Sequence, residues 1–174
     1  MSREPGFSGG RQFSASKSAS SPTRQPLVAI LLNRKQDKKI LHMKKEFDRT
    51  SIEGSARYFQ NCVRNGDVES ALDCFDEDAI YITGIGAFVT GKENIRKALE
   101  QVCALKPDLQ AQRSTGFTVG DITAWLDEWT LKAILPDGTT LDMKGTSSDI
   151  LKKQPNGNWV YLVDNPYGAE YLHL

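Results

Sequence analysis

The stretch SSDILKKQPNGNWVYLVDNPYG, residues 147–168, alternates polar and apolar residues, breaks at Pro155-Asn156-Gly157, and resumes through Trp159, Tyr161 and Val163 to Asp164-Asn165-Pro166. A period of two on each side of a turn-forming triplet marks adjacent antiparallel strands, because successive side chains of a strand point to opposite faces. On the first strand Asp149 shares its parity with Leu141, Met143, Gly145, Ser147 and Leu151, so its carboxyl is carried inward with apolar neighbours. A carboxylate in that position needs a partner or must take up a proton. Cross-strand pairing then brings Asp149 and Tyr161 to one surface, with Pro166 terminating the second strand.

The same period extends upstream. Residues 109–119, 122–135, 139–152 and 159–163 read as four strands joined at Gly120-Asp121, Pro136-Asp137-Gly138 and Pro155-Asn156-Gly157. Connections this short do not permit parallel crossovers, so the four form an antiparallel meander. Before Pro107 the period is helical. Thr50-x-x-Glu53 is a capping box ahead of a stripe of Ile52, Ala56, Phe59 and Val63 that Gly66 ends. Asp67 caps a shorter helix, residues 79–83 make a strand that reverses at Gly84 and Gly86, and Thr90-x-x-Glu93 opens a third helix that Pro107 stops. Helices segregated onto one face of a strongly curved antiparallel sheet give an α+β domain, a cone whose open end leaves a pocket.

Charge divides the chain. Residues 1–42 carry 8 Lys/Arg against 2 Asp/Glu, and residues 43–174 carry 14 against 20. The first 42 residues are Ser-, Arg- and Gly-rich and read as a disordered basic tail. Two alternatives stand beside it: a transit peptide, or a stretch upstream of a true start at Met43, leaving residues 43–174 as the single domain. An acidic body without clustered Lys/Arg argues against nucleic acid, and the apolar run at residues 26–32 is too short to span a bilayer and marginal as a secretory signal. Cys62, Cys74 and Cys103 have no C-x-x-C spacing and the chain has two histidines, which supports neither a disulfide framework nor a histidine-rich metal site. Buried small hydrophobes in a reducing, cytoplasmic setting are expected instead.

The element order, with RYFQNCVRNGDVESALDCFDEDAIYI, TGKENIRKALEQ, ALKPDL, Trp129 and GNWVYLVDNPYG, resembles the nuclear transport factor two-like superfamily of cone-shaped, cystatin-like barrels. Within it the SnoaL-like polyketide-cyclase and ketosteroid-isomerase-related branch is the best match, over residues 51–168. The resemblance implies a role for Tyr58 as an oxyanion-binding phenol and for Asp149 as the protonated acid that assists it, roles described for ketosteroid isomerase in general terms. It places the isomerase base at Thr83, which cannot accept a proton as a carboxylate does. Many relatives dimerise through the outer face of the sheet, so the resemblance also implies a homodimer.

Asp127 shares parity with Trp125, Trp129 and Leu131 on the central strand and is a possible replacement base, although edge strands often turn such acids outward through a bulge. Trp129 is the preferred pocket wall of the two indoles. Tyr161 and Asn165 join Thr83 as pocket-lining residues, and Asp164 is read as turn chemistry. Two functions follow. The first is a pocket protein acting as isomerase, cyclase or lyase on a hydrophobic oxygenated molecule, with Tyr58 and Asp149 as its hydrogen-bonding pair and needing no metal or nucleotide cofactor. The second is a non-catalytic binding or dimerisation module of the same fold.

Overall fold

In a computed structural model of the chain, residues 47–172 are described. The expectations placed on residues 1–42 and on a start at Met43 lie outside the described residues. Helix α1, Ile52–Asn65, begins where Ser51 holds an extended backbone and accepts a hydrogen bond from the Gly54 N–H at 3.1 Å. The cap is therefore Ser51, not Thr50, whose hydroxyl is turned to Asp48 at 2.7 Å. Gly66 closes the helix at φ 74°, and the Gly66 and Asp67 N–H groups reach back to the Val63 and Cys62 carbonyls, satisfying them as a left-handed residue at this place allows.

Helix α2, Val68–Leu72, starts at Asp67, whose carboxylate accepts from the Ser70 N–H at 3.1 Å. Strand β1, Phe75–Gly84, begins four residues before the β-branched run and forms a hairpin with β2, Ala87–Thr90. Helix α3, Lys92–Ala104, has Gly91 as its cap with no side-chain bond, so Thr90 does not form the expected box. Strands β3 (Asp108–Val119), β4 (Ile122–Ile134), β5 (Thr140–Lys153) and β6 (Trp159–Asp164) follow, ending in a short 3-10 helix, Gly168–Leu172.

The meander is antiparallel as expected, but the sheet is mixed, in the order β2-β1-β6-β5-β4-β3, because β1 pairs parallel with β6. That contact joins strands about eighty positions apart in the chain, which local turn chemistry cannot reveal. Strand β6 also carries a bulge. Leu151 pairs with Tyr161 while Ile150 pairs with Val163, so Leu162 is an extra residue and the parity of the strand reverses beyond it.

The core lies between the sheet and the helices. Phe59, Phe75 and Tyr161 meet in a ring cluster with centroids 5.2–5.6 Å apart, an edge-and-tilt geometry suited to the quadrupoles of aromatic rings. Leu151, Ile95 and Leu99 are fully buried beside them. Two of the cysteines, Cys62 and Cys103, lie on α1 and α3, and Cys74 lies between α2 and β1. All three are buried and unpaired, and burial pushes their thiols up to about 11, about 11 and about 12 respectively.

Candidate functional site

Between the inner face of the sheet and helices α1 and α3 lies a cavity of about 350 Å³. Helix α1 contributes Phe59, Gln60 and Val63, which the 3.6-residue period places on one face. Helix α3 adds Val102, the residue that caps its end adds Leu105, and Trp129 of β4 makes a broad wall. The indole is held by its Nε1–H, which donates to the Pro166 carbonyl at 3.0 Å. Gly145 stands directly opposite on β5, where a Cβ would come within 2.7 Å of the indole Cζ2. Its bare backbone is what lets the ring lie across the neighbouring strand.

Into this mostly apolar space the sheet directs three carboxyl groups. Asp127, Asp149 and Asp164 all line the cavity, each no more than 6% exposed. The register explains the grouping. Asp127 pairs with Ser147 across β4 and β5, and Asp149 is two residues further along the same face. Asp164 arrives there because the β6 bulge reverses its parity, and it stands beside Tyr81 of β1.

The three are held differently. Asp149 accepts from the Ser147 hydroxyl at 2.7 Å and from the Asn165 N–H at 2.9 Å. Burial pushes its carboxyl up to about 6, against the pull of those two donors. Asp127 receives only the Gln60 amide, at 3.0 Å on Oδ2, and its Oδ1 is buried with no partner among the described residues. Burial, and then the charge of Asp149, push it up to about 7, with Gln60 opposing. Asp164 is raised well above the ordinary carboxylate range by burial and then by Asp149. The Tyr161 phenol is likewise raised by burial and by Asp149. Three acids in a low-dielectric space do not ionise together, so protons are shared among them. Asp149, with two donors, is best equipped to hold the negative charge.

Asp149, Thr83, Trp129, Tyr161 and Asp127 all line the one cavity. Asp127 stays inward because the irregular register next to it falls in β3, between Ala111 and Arg113, and not in β4. Tyr58 is elsewhere. One position from Phe59 on α1, it is turned away from the cavity, with the Arg49 guanidinium 5.1 Å from its ring centre and Phe47 edge-on at 6.5 Å. The expected pairing of Tyr58 with Asp149 is therefore not formed, and Tyr161 is the phenol near that acid. Asn165 and Asp164 exchange the places expected of them. The Asn165 side chain accepts from the Tyr167 N–H and donates to the Gly168 carbonyl, so it shapes the turn, whereas Asp164 faces the cavity. Gln60 was absent from the sequence reading. Its only signal is a polar residue within the apolar stripe of α1.

Among the described residues no helix is long and apolar enough to cross a membrane. The family model of the SnoaL-like domain matches residues 56–161. No curated protein matches the chain. Solved structures match at low identity. A nuclear transport factor 2-like superfamily protein of Salmonella enterica has a TM-score of 0.61 at 17% identity, covering 74% of this chain and 92% of that one. A candidate scytalone dehydratase of Novosphingobium aromaticivorans has a TM-score of 0.61 at 14% identity, covering 74% and 85%. A candidate ketosteroid isomerase of Shewanella frigidimarina has a TM-score of 0.57 at 14% identity, covering 64% and 90%. With three α-helices among the described residues set against a curved six-stranded sheet, the chain belongs to the SnoaL-like family of the nuclear transport factor 2-like superfamily.

Proposed function

We propose that this cavity performs acid–base chemistry on a hydrophobic oxygenated molecule, moving a proton at a carbon beside a carbonyl, the step that isomerases, cyclases and lyases of this kind share. The observation that carries the reading is the free Oδ1 of Asp127, buried in the cavity wall on a carboxyl pushed up to about 7. A general base works best when its pKa lies near the working pH. Gln60 fixes Oδ2, which leaves Oδ1 as the oxygen available to take a proton. The Tyr161 phenol and the Asp164 carboxyl, both raised first by burial and then by the Asp149 charge, serve as donors to the oxygen where charge develops. Asp127 thus takes the part that Thr83 cannot, and Tyr161 the part assigned to Tyr58.

The test is exchange of the acidic C–H groups of β-tetralone in deuterium oxide, followed by proton NMR. The native chain is expected to accelerate exchange, and Asp127→Asn to abolish the acceleration. Equal rates with the native and variant proteins would overturn the reading.

A homodimer through the outer sheet face also belongs to this proposal. Phe117, Val119, Ile122 and Leu126 are exposed on the face opposite Asp127 and adjoin one another in the β3–β4 register, a patch suited to pairing with a second copy. Sedimentation of the native chain and of Leu126→Glu tests it. Three buried free thiols are consistent with a reducing, cytoplasmic setting.

A further inference from the structure

The cavity holds three carboxyl groups, and no Lys, Arg or His lines it among the described residues. The charges nearest to Asp127 from outside are Arg57 of α1 and Glu128 of β4, which act in opposite directions. Arg57 is an exposed side chain engaged by Glu53 at 2.6 Å. Buried carboxyls normally come with a cation or a full set of donors. Asp149 uses its two donors on a group with about four acceptor sites, and Asp127 leaves an entire oxygen unused.

A metal ion does not suit these acids, since no three His, Cys, Asp or Glu side chains among the described residues are placed to hold one. The walls are instead aromatic, from Phe59, Trp129 and Tyr161, surfaces that attract organic cations through their π faces and bury the carbon skeleton attached to them. We propose that the ligand of this cavity carries a protonated amine, seated against Asp149 beside the free oxygen of Asp127, so that the ammonium supplies the positive charge the carboxyl cluster lacks.

The inference rests on the acid–base reading above and deepens it. An ammonium at Asp149 offsets the charge that, after burial, opposes ionisation of Asp127, and so favours Asp127 as the carboxylate that proton abstraction requires. The substrate then activates its own base, and the class is a hydrophobic amine that also bears a carbonyl or hydroxyl oxygen.

Three probes of one shape and different charge test it: naphthylmethylamine, naphthylmethanol and naphthoate, titrated calorimetrically into the full chain at neutral pH in phosphate and in Tris. The amine is expected to bind about tenfold or more tighter than the alcohol, as an added charge contact in a partly desolvated site allows, with naphthoate weakest. Its heat should differ between the buffers because ionisation of the carboxyls releases protons, whereas that of the alcohol should not. Asp149→Asn should remove the preference for the amine and retain binding of the alcohol. Alcohol binding as tight as amine binding in the native chain would overturn the ammonium inference and leave the pocket reading standing, and this comparison needs no variant to fold. Failure of all three probes to bind at millimolar concentration would overturn both the ammonium inference and the pocket reading. Loss of β-tetralone exchange with amine preference intact would overturn only the acid–base reading.

Discussion

Two aspartates of this sheet are almost equally buried and lead opposite lives. Asp76, 8% exposed, lies on the outer face beside Lys152 at 3.3 Å, accepting from the Gln154 amide at 2.7 Å and the Asp78 N–H at 3.2 Å. Asp127, 5% exposed, lies on the inner face with one amide and a neighbouring acid. Burial pushes both upward. At Asp76 the backbone N–H, Gln154 and Lys152 together overcome it and hold the carboxyl below its usual value, whereas at Asp127 a single amide cannot. Low exposure alone is therefore a poor guide to role. Asp76 is covered by its own hydrogen-bonding partners at the outer surface, Asp127 lies deeper, and the supply of donors and cations adds to that difference in separating a structural acid from a reactive one.

The largest effect that tests this contrast is on rate. Asp127→Asn should lower catalysed β-tetralone exchange by about 10²–10⁴-fold, the range of a lost general base, while the melting temperature holds or rises. Next comes pH. Carboxyls raised to about 7 and about 6 bind more protons in the folded chain than in the unfolded chain, whose carboxyls titrate near ~3.9. Stability should therefore rise as pH falls from 8 to 5, by up to about 1.4 kcal/mol per pH unit for each such proton, and denaturant titrations of Asp127→Asn should show a shallower dependence. Asp76, held low, acts in the opposite direction, below pH 4.

Asp76→Ala should then cost about 0.5–1.5 kcal/mol of stability, since the half-exposed Gln154 and Lys152 it releases can turn to water, with affinity for the naphthyl probes unchanged. Gly145→Ala should displace the Trp129 indole at a cost of about 1 kcal/mol or somewhat more, seen as a change in tryptophan fluorescence and weaker probe binding. Tyr58→Phe should be the smallest, within about 0.5 kcal/mol for a site away from the cavity, and unchanged in exchange rate.

Much of this was legible. The alternation around Asp149 and on the central strand assigns Asp149, Asp127, Trp129 and Tyr161 to one side, because a regular strand permits no other outcome. The helical stripes and the stops at Gly66 and Pro107 are local chemistry. What escaped depends on contacts between distant segments. The parallel pairing of β1 with β6 has no turn to announce it, and the helix caps fall at Ser51 and Gly91, one residue beyond Thr50 and Thr90, with no reciprocal box at either. Tyr58 was given an inward role by resemblance, yet the rotation of α1 about its axis is set by what Phe59 and Val63 pack against. Asp164 defeats parity itself, since the bulge at Leu162 cannot be read from an unbroken run of β-forming residues.

That bulge divides β6 into two phases, with odd-numbered residues turned inward before it and even-numbered ones after it. Removing the single residue Leu162 would merge the two phases into one, with Tyr161 still opposite Leu151, Val163 still opposite Ile150 and the acid that follows still turned inward. Relatives with or without this insertion would therefore be expected to present the same acids to the interior and to favour ligands of the same charge.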